Sequence, residues 1–284
     1  MFAETLRLFR TKNGISQTQF VDLVQKSSQN FYSLDVVTLS RWERGVTTPH
    51  LKRMNELLEL LGINIFDFWC NNSDGNELKA LYSKLNTNAY TDENTIFNPD
   101  VVLITASNSG VIGSYLHLID VIFNYENNAI LVSMQDNGKT RRSVIEKIIN
   151  QYSGELMFVL VNGQIIGHLL SSNSRLILDY TGEDIDGNEK VDLIVSCNST
   201  HYSSFVPTLG RFVYKYIQST DPNKIIKIHV NNVRMLNILY SIGLEYTSVN
   251  IKGTIVKVME LSSKEIKKNR AWMSIISKYR MSKK

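Results

Sequence analysis

The sequence predicts an α+β chain built from two folded units and a polar connector. Three observations carry this. Apolar residues recur at helical spacing, with caps and glycine stops, through the first 70 residues. Strand runs joined by tight-turn signals dominate from Met157 onward. Between them, Asn71-Asn-Ser-Asp-Gly-Asn76 is polar and turn-rich. The division is an all-α unit over residues 1–70, a linker and candidate dimerisation segment over 71–125, a mixed α/β unit over 126–261, and a basic C-terminal helix over 262–284. A chain of 284 residues is long enough for each unit to bury its own core.

In the first unit, Leu6 and Phe9 mark a helix that ends at Lys12-Asn13-Gly14. Ser16 caps a second helix, where Phe20, Leu23 and Val24 return at helical spacing. A polar stretch, Gln25 to Ser33, follows. Asp35 then caps a short helix with Leu39 and Trp42 on one face, and Gly45 stops it. Val36, Val37, Ser40 and Arg41 fall on its other side and are expected to face solvent. Met54, Leu57, Leu58 and Leu61 form the stripe of a fourth helix, and Ile63, Phe66, Phe68 and Trp69 close the small core or begin a dimer contact.

These marks, Leu6…Arg10, Ile15-Ser16-Gln17, Thr38-Leu39-Ser40-Arg41-Trp42-Glu43-Arg44-Gly45 and Pro49, resemble the helix-turn-helix domain of the Cro/cI (XRE) repressors. The resemblance implies double-stranded DNA as partner, with the Asp35-capped helix in the major groove. It implies base reading by Val36, Val37 and Arg41, with Ser40 on the same face and Gln17 near the backbone. Ser16, Arg44, Thr47 and Thr48 would meet phosphates, and Arg10 with Glu43 would form a structural ion pair. Residues 25–33 are longer than the usual turn. They are expected to lengthen the second helix or to form a loop touching the DNA backbone.

Beyond the connector, a helix is expected from about Glu77 to Leu85, a polar connector from Asn86 to Asp100, a strand at Val101–Ala106, a helix at Val111–Phe123, a strand at Ala129–Met134 and a helix at Ser143–Tyr152. Met157–Val161 and Gln164–Leu170 flank Asn162-Gly163, a type I′ hairpin signal. Val191–Ser196 is a strand, Leu209–Ile217 a helix, Ile225–Val230 a strand and Val233–Ile242 a helix ended by Gly243. Leu244–Leu261 form a last hairpin around Lys252-Gly253.

This order, with "VNGQIIG" and Asn232…Leu239-Tyr240-Ser-Ile-Gly243-Leu-Glu-Tyr246, resembles the GNAT acetyltransferases. The resemblance implies a coenzyme A pyrophosphate loop at Thr208-Leu209-Gly210 and places Tyr240 near the family's thiolate-protonating tyrosine. Thr208 and Phe205 replace the loop's first glycine and its basic or amide residue, and Pro207 removes an N–H donor. On this reading the domain serves sensing or dimerisation. No enzymatic activity and no cofactor are expected, Tyr240 is the one weak catalytic candidate, and acetyl-CoA-dependent N-acetyl transfer is the alternative.

His50, His117, His168, His201 and His229 are scattered without spaced partners, so no metal site or triad is read from them. Cys70 and Cys197 lie far apart, which fits a reducing, cytoplasmic setting. The N-terminus lacks a signal-peptide pattern, and Val101–Phe123 is too polar to span a membrane. Net charge is +4, unevenly spread: residues 1–70 carry eight Lys/Arg against seven Asp/Glu, and residues 262–284 carry eight against one. The latter begin with the capping box Ser262…Glu265 and form a basic amphipathic helix, expected to dock on its own domain or a partner protomer, or to add phosphate contacts. Together these readings describe a homodimeric transcription regulator with a small-molecule effector. A prophage repressor or antitoxin-like regulator is a further alternative.

Overall fold

In a computed structural model of the chain, residues 1–72, 81, 84–85, 99–135, 138–181, 191–219, 221 and 224–282 are described. Most of the helix expected at 77–85 and of the connector at 86–100 falls outside them.

Five helices make the N-terminal unit: α1 (Phe2–Lys12), α2 (Gln17–Ser27), α3 (Val36–Glu43), α4 (Leu51–Leu60) and α5 (Ile65–Asn72). Local chemistry sets their ends. Ser16 and Gln19 form a reciprocal capping box on α2, and Asp35 accepts the Thr38 N–H at 2.6 Å to start α3. Gly45 and Gly62 adopt φ of +69° and +71° where the chain leaves α3 and α4. The long α2–α3 connection is a tied-down turn. Its 3-10 helix (Gln29–Phe31) buries Phe31, Gln25 donates to the carbonyls of Tyr32 and Leu34, and Asn30 and Ser28 bind Glu56. The Arg53 guanidinium lies over both the Phe31 and Trp42 rings, at 5.1 and 5.4 Å.

The second unit is a seven-stranded mixed sheet in the order β1-β2-β3-β4-β5-β7-β6. Its strands are β1 (Asp100–Ile104), β2 (Glu155–Val161), β3 (Gln164–Asn173), β4 (Val191–Ser199), β5 (Ile225–Val230), β6 (Tyr246–Ile251) and β7 (Thr254–Ser262). Only β4 and β5 run parallel. Both hairpins carry positive φ at both turn residues, Asn162-Gly163 (+51° and +76°) and Lys252-Gly253 (+46° and +87°), as a right-twisted two-residue hairpin requires.

Helices α6 (Leu116–Glu126), α7 (Ala129–Gln135), α8 (Arg141–Gln151) and α9 (Arg175–Thr181) share one core with one face of the sheet. The other face packs against a helix over 202–217, here α10, α11 (Val233–Ser241), and the terminal pair α12 (Ser263–Lys268) and α13 (Arg270–Met281). Residues 99–126 join the sheet unit, since β1 pairs with β2 and a 3-10 helix (Ala106–Tyr115) leads into α6.

Two expectations are corrected here. Ala129–Met134 is a helix, because Asn128 caps it by accepting from the N–H groups of Ile130 and Leu131. A buried apolar run of this length reads alike as strand or helix. Thr208-Leu209-Gly210 form no loop. They sit in the π-helical middle of α10, where Thr208 donates to the Ser204 carbonyl and a Cβ on Gly210 would come within 3.1 Å of Ile275.

The C-terminal helices return to the N-terminal unit. Lys267 pairs with Glu59, Ser277 donates to the Phe66 carbonyl at 3.1 Å, and Arg280 binds Asn64 and Asp67. Both units therefore share a continuous core in which Trp272 is fully buried.

Candidate functional site

Two regions concentrate functional groups. The first is the exposed side of α2 and α3. Arg10 Nε donates to Glu43 Oε1 at 2.6 Å and Nη2 to Oε2 at 3.1 Å, while Gln17 Nε2 donates to the same Oε2 at 2.7 Å. Arg10 also donates to the Ile15 carbonyl at 3.1 Å, so one side-chain cluster ties α1, the start of α2 and the end of α3. Burial alone would raise the Glu43 carboxyl. The bonds from Arg10 and Gln17 outweigh it and hold the group below its ordinary value.

With its buried face fixed, α3 leaves Val37 60% exposed and Arg41 exposed. Ser40 is half-buried beside them, and Thr47, Thr48 and Arg44 are exposed past the helix end, with Arg44 Nε on the Ser40 carbonyl. Val36, expected on this face, is half-buried against the core, since one residue turns a side chain about 100° around the helix. Ser16 uses its hydroxyl as the α2 cap, and Gln17 spends its amide N–H on Glu43.

The second region lies where α6 ends against β3 and β4. Glu126, His168 and Ser196 are buried together. The Ser196 hydroxyl donates to Glu126 Oε2 and lies 2.8 Å from His168 Nε2, and that nitrogen is 3.2 Å from Glu126 Oε1. Glu126 and His168 line a cavity of about 390 Å³, with Tyr125 and Ile165 as apolar wall and Asn198 and Asn232 as polar rim. Ser196 is fully buried, so its hydroxyl orients the pair and does not serve as a nucleophile. A carboxylate beside an imidazole at a cavity can accept a proton from an incoming amine or hydroxyl. The neighbouring Cys197 is no nucleophile, because burial and then the Glu126 charge push its thiol up.

In the sequence the histidines are scattered without spaced partners; the structure brings one of them, His168, against Glu126 and Ser196. Sequence separation hid it, since the three residues come from three elements. The available signal was polarity out of place: His168 in Ile-Ile-Gly-His-Leu-Leu and Ser196 in Leu-Ile-Val-Ser interrupt otherwise apolar strands. Tyr240, the earlier candidate, is 60% exposed and packs edge-on against Tyr246; it does not line this cavity. Among the described residues, no group of three or more His, Cys, Asp or Glu converges as metal ligands, and no helix is long and apolar enough to cross a membrane.

No family model matches the chain, and no curated protein does. Solved structures do. An uncharacterized protein from Bacillus halodurans matches at 13% identity over 66% of this chain and 93% of its own, with a TM-score of 0.39. The aminoglycoside acetyltransferase AAC(6')-Ib in complex with coenzyme A matches at 17%, over 60% and 97%, with a TM-score of 0.35. A probable acetyltransferase from Staphylococcus epidermidis matches at 10%, over 58% and 99%, with a TM-score of 0.39. These matches align with the C-terminal sheet-bearing part as a distant likeness, and the N-terminal helices are compatible with a helix-turn-helix. At these identities the likeness concerns the fold, and no residue role is taken from it. The expectation of a chain without enzymatic activity finds no support among these structures, which include acetyltransferases.

Strands β4 and β5 part towards their ends. Their pairing ends at Ile194 and Ile228, and both strands continue beyond it. Past that point Ser199 Oγ, both ring nitrogens of His229, Asn231 Nδ2 and Arg234 Nε are buried without hydrogen-bond partners. Two β4 carbonyls there are met by the chain itself, Val195 by Asn128 and Ser199 by Arg234. Unpaired buried donors and acceptors of this kind are uncommon in folded chains. The expectation of no cofactor lacks support.

Proposed function

We propose that the chain is a sequence-specific DNA-binding regulator of the Cro/cI type, acting as a homodimer on a two-fold operator. The observation that supports this best is the Arg10–Glu43–Gln17 cluster, which fixes α2 against α3 while leaving Val37 and Arg41 free to meet base edges. An exposed valine suits a thymine methyl, and an exposed arginine suits a guanine edge. Half-sites would lie about 34 Å apart, one helical turn. The test is a gel shift with the full chain on DNA from its own upstream region. Arg41→Ala is expected to lose sequence preference, and unchanged preference would refute this reading face.

A second reading is N-acetyl transfer from acetyl-CoA by the sheet unit, in a protein that also carries the DNA-binding helices. The Glu126–His168 pair at its cavity favours it. Acetyl-CoA, when bound, supplies the thioester carbonyl that an amine attacks. Glu126, oriented by Ser196 and His168, would take the proton that the amine releases. Ser199, Asn231 and Arg234 would hold the polar arm. The test is thiol release with a panel of amines. Turnover lost in Glu126→Gln and kept in Tyr240→Phe supports the reading, and turnover insensitive to Glu126→Gln removes it.

A further inference from the structure

Strand β6 stops short of its neighbour. Its first pair is Tyr246 with Met259, while β7 runs on to Ser262 against β5. Just before β6, the Ile242 carbonyl accepts from Asn269 Nδ2 at 2.5 Å, which ties this stretch to the α12–α13 junction. A cavity of about 570 Å³ occupies the notch between the two. Its volume is in the small-molecule range.

The walls differ in chemistry. From the β6–β7 side come the carboxylates of Glu245 and Glu260, both exposed. Glu260 also meets Lys227 at 3.4 Å, so Glu245 is the principal acceptor here for a cation. From the helices come Lys268 and Trp272, beside Glu265, whose Oε2 already serves the Ser262 cap. Trp272 is fully buried, and its indole N–H finds no acceptor among the described residues. The indole of Trp69, by contrast, is met by Asn55. An indole nitrogen only donates, and when buried it ordinarily has a partner. Such an N–H in the wall of a cavity calls for an acceptor on whatever fills it.

We propose that this cavity binds a small organic cation with a hydrogen-bond acceptor at its other end, an arginine-like amide being the simplest example. The guanidinium meets Glu245, with Glu260 beside it, and the amide carbonyl accepts from the Trp272 indole. Leu244 and Leu261, both lining the cavity, cover the chain between the two ends. This site rests on neither the DNA-binding nor the acetyl-transfer reading.

The test is calorimetry on the full chain with three probes. The first is N-acetyl-arginine methylamide. Its citrulline counterpart keeps the carbonyl and loses the charge, and butylguanidinium keeps the charge and loses the carbonyl. The arginine compound is expected to bind saturably with a Kd below about 1 mM, and the other two at least about tenfold more weakly. Glu245→Gln is expected to weaken the arginine compound about tenfold. Trp272→Phe keeps a ring and removes the N–H. It is expected to weaken the arginine compound about tenfold and to leave butylguanidinium unchanged, whereas a damaged fold would weaken both. No saturable binding of the arginine compound, equal binding of its citrulline counterpart, or unchanged affinity in Glu245→Gln would overturn the proposal. Equal loss of both cations in Trp272→Phe, or loss of neither, overturns the two-ended assignment. If Trp272→Phe does not fold, the exposed Glu245→Gln decides alone.

Discussion

Asn55 Oδ1 accepts the indole N–H of Trp69 at 2.6 Å, while Asn55 Nδ2 donates to the Lys267 carbonyl at 2.5 Å. One buried amide on α4 thereby satisfies α5 and α12 together. Asn55→Leu strands a half-buried indole N–H and a half-buried carbonyl, at no more than about 1–3 kcal/mol each. Thermal unfolding is expected to shift from a single transition to two in this variant, because the N-terminal helices lose their hold on the sheet unit.

The Glu43 carboxyl is held below its ordinary value, so the unfolded chain binds its proton more readily than the folded one. The stability it adds is complete above the ordinary glutamate range and is lost as pH falls through the lowered folded value. Melting curves of wild type and Glu43→Gln are expected to differ most at neutral pH and to converge toward acid.

His229 is buried and pushed down to about 4, by burial and then by Lys227. Its folded form resists a proton that the unfolded chain accepts below about 6.5. Its contribution is therefore fully present above that value and falls between there and pH 4. His229→Leu is expected to flatten the stability profile across this window, as read by chemical denaturation at successive pH values.

Cys197 is buried with its thiol pushed up. In a Cys70→Ser background, a thiol reagent is expected to label the native protein only at the rate of opening and the denatured protein at once. Fast labelling of the native chain would contradict the burial.

The parts of this architecture set by local chemistry were legible in the sequence. The Ser16, Asp35 and Ser262 caps, the Asn162-Gly163 and Lys252-Gly253 turns and the Ile225–Val230 strand each depend on neighbours a few residues away. Ala129–Met134 was not, because buried on nearly all sides it has no amphipathic period to read. Nor was the start of α10 at Tyr202, where His201 caps a helix that then tolerates Pro207 through a π-helical turn. Glu126, His168 and Ser196 meet only because sheet register and the end of α6 converge. The hold of α13 on α5 joins residues some two hundred positions apart. Long-range placement of this sort leaves a trace only as polar residues inside apolar strands.

The central claim is that α3 reads DNA through Val37 and Arg41. Selection of bound sequences from random duplexes by the full chain, beside Arg41→Ala, tests it most directly. The account predicts a two-fold motif with half-sites one helical turn apart, and its loss or relaxation at one position, at about 1–3 kcal/mol, in the variant. Enrichment of no sequence, or the same motif at the same affinity in Arg41→Ala, would contradict it.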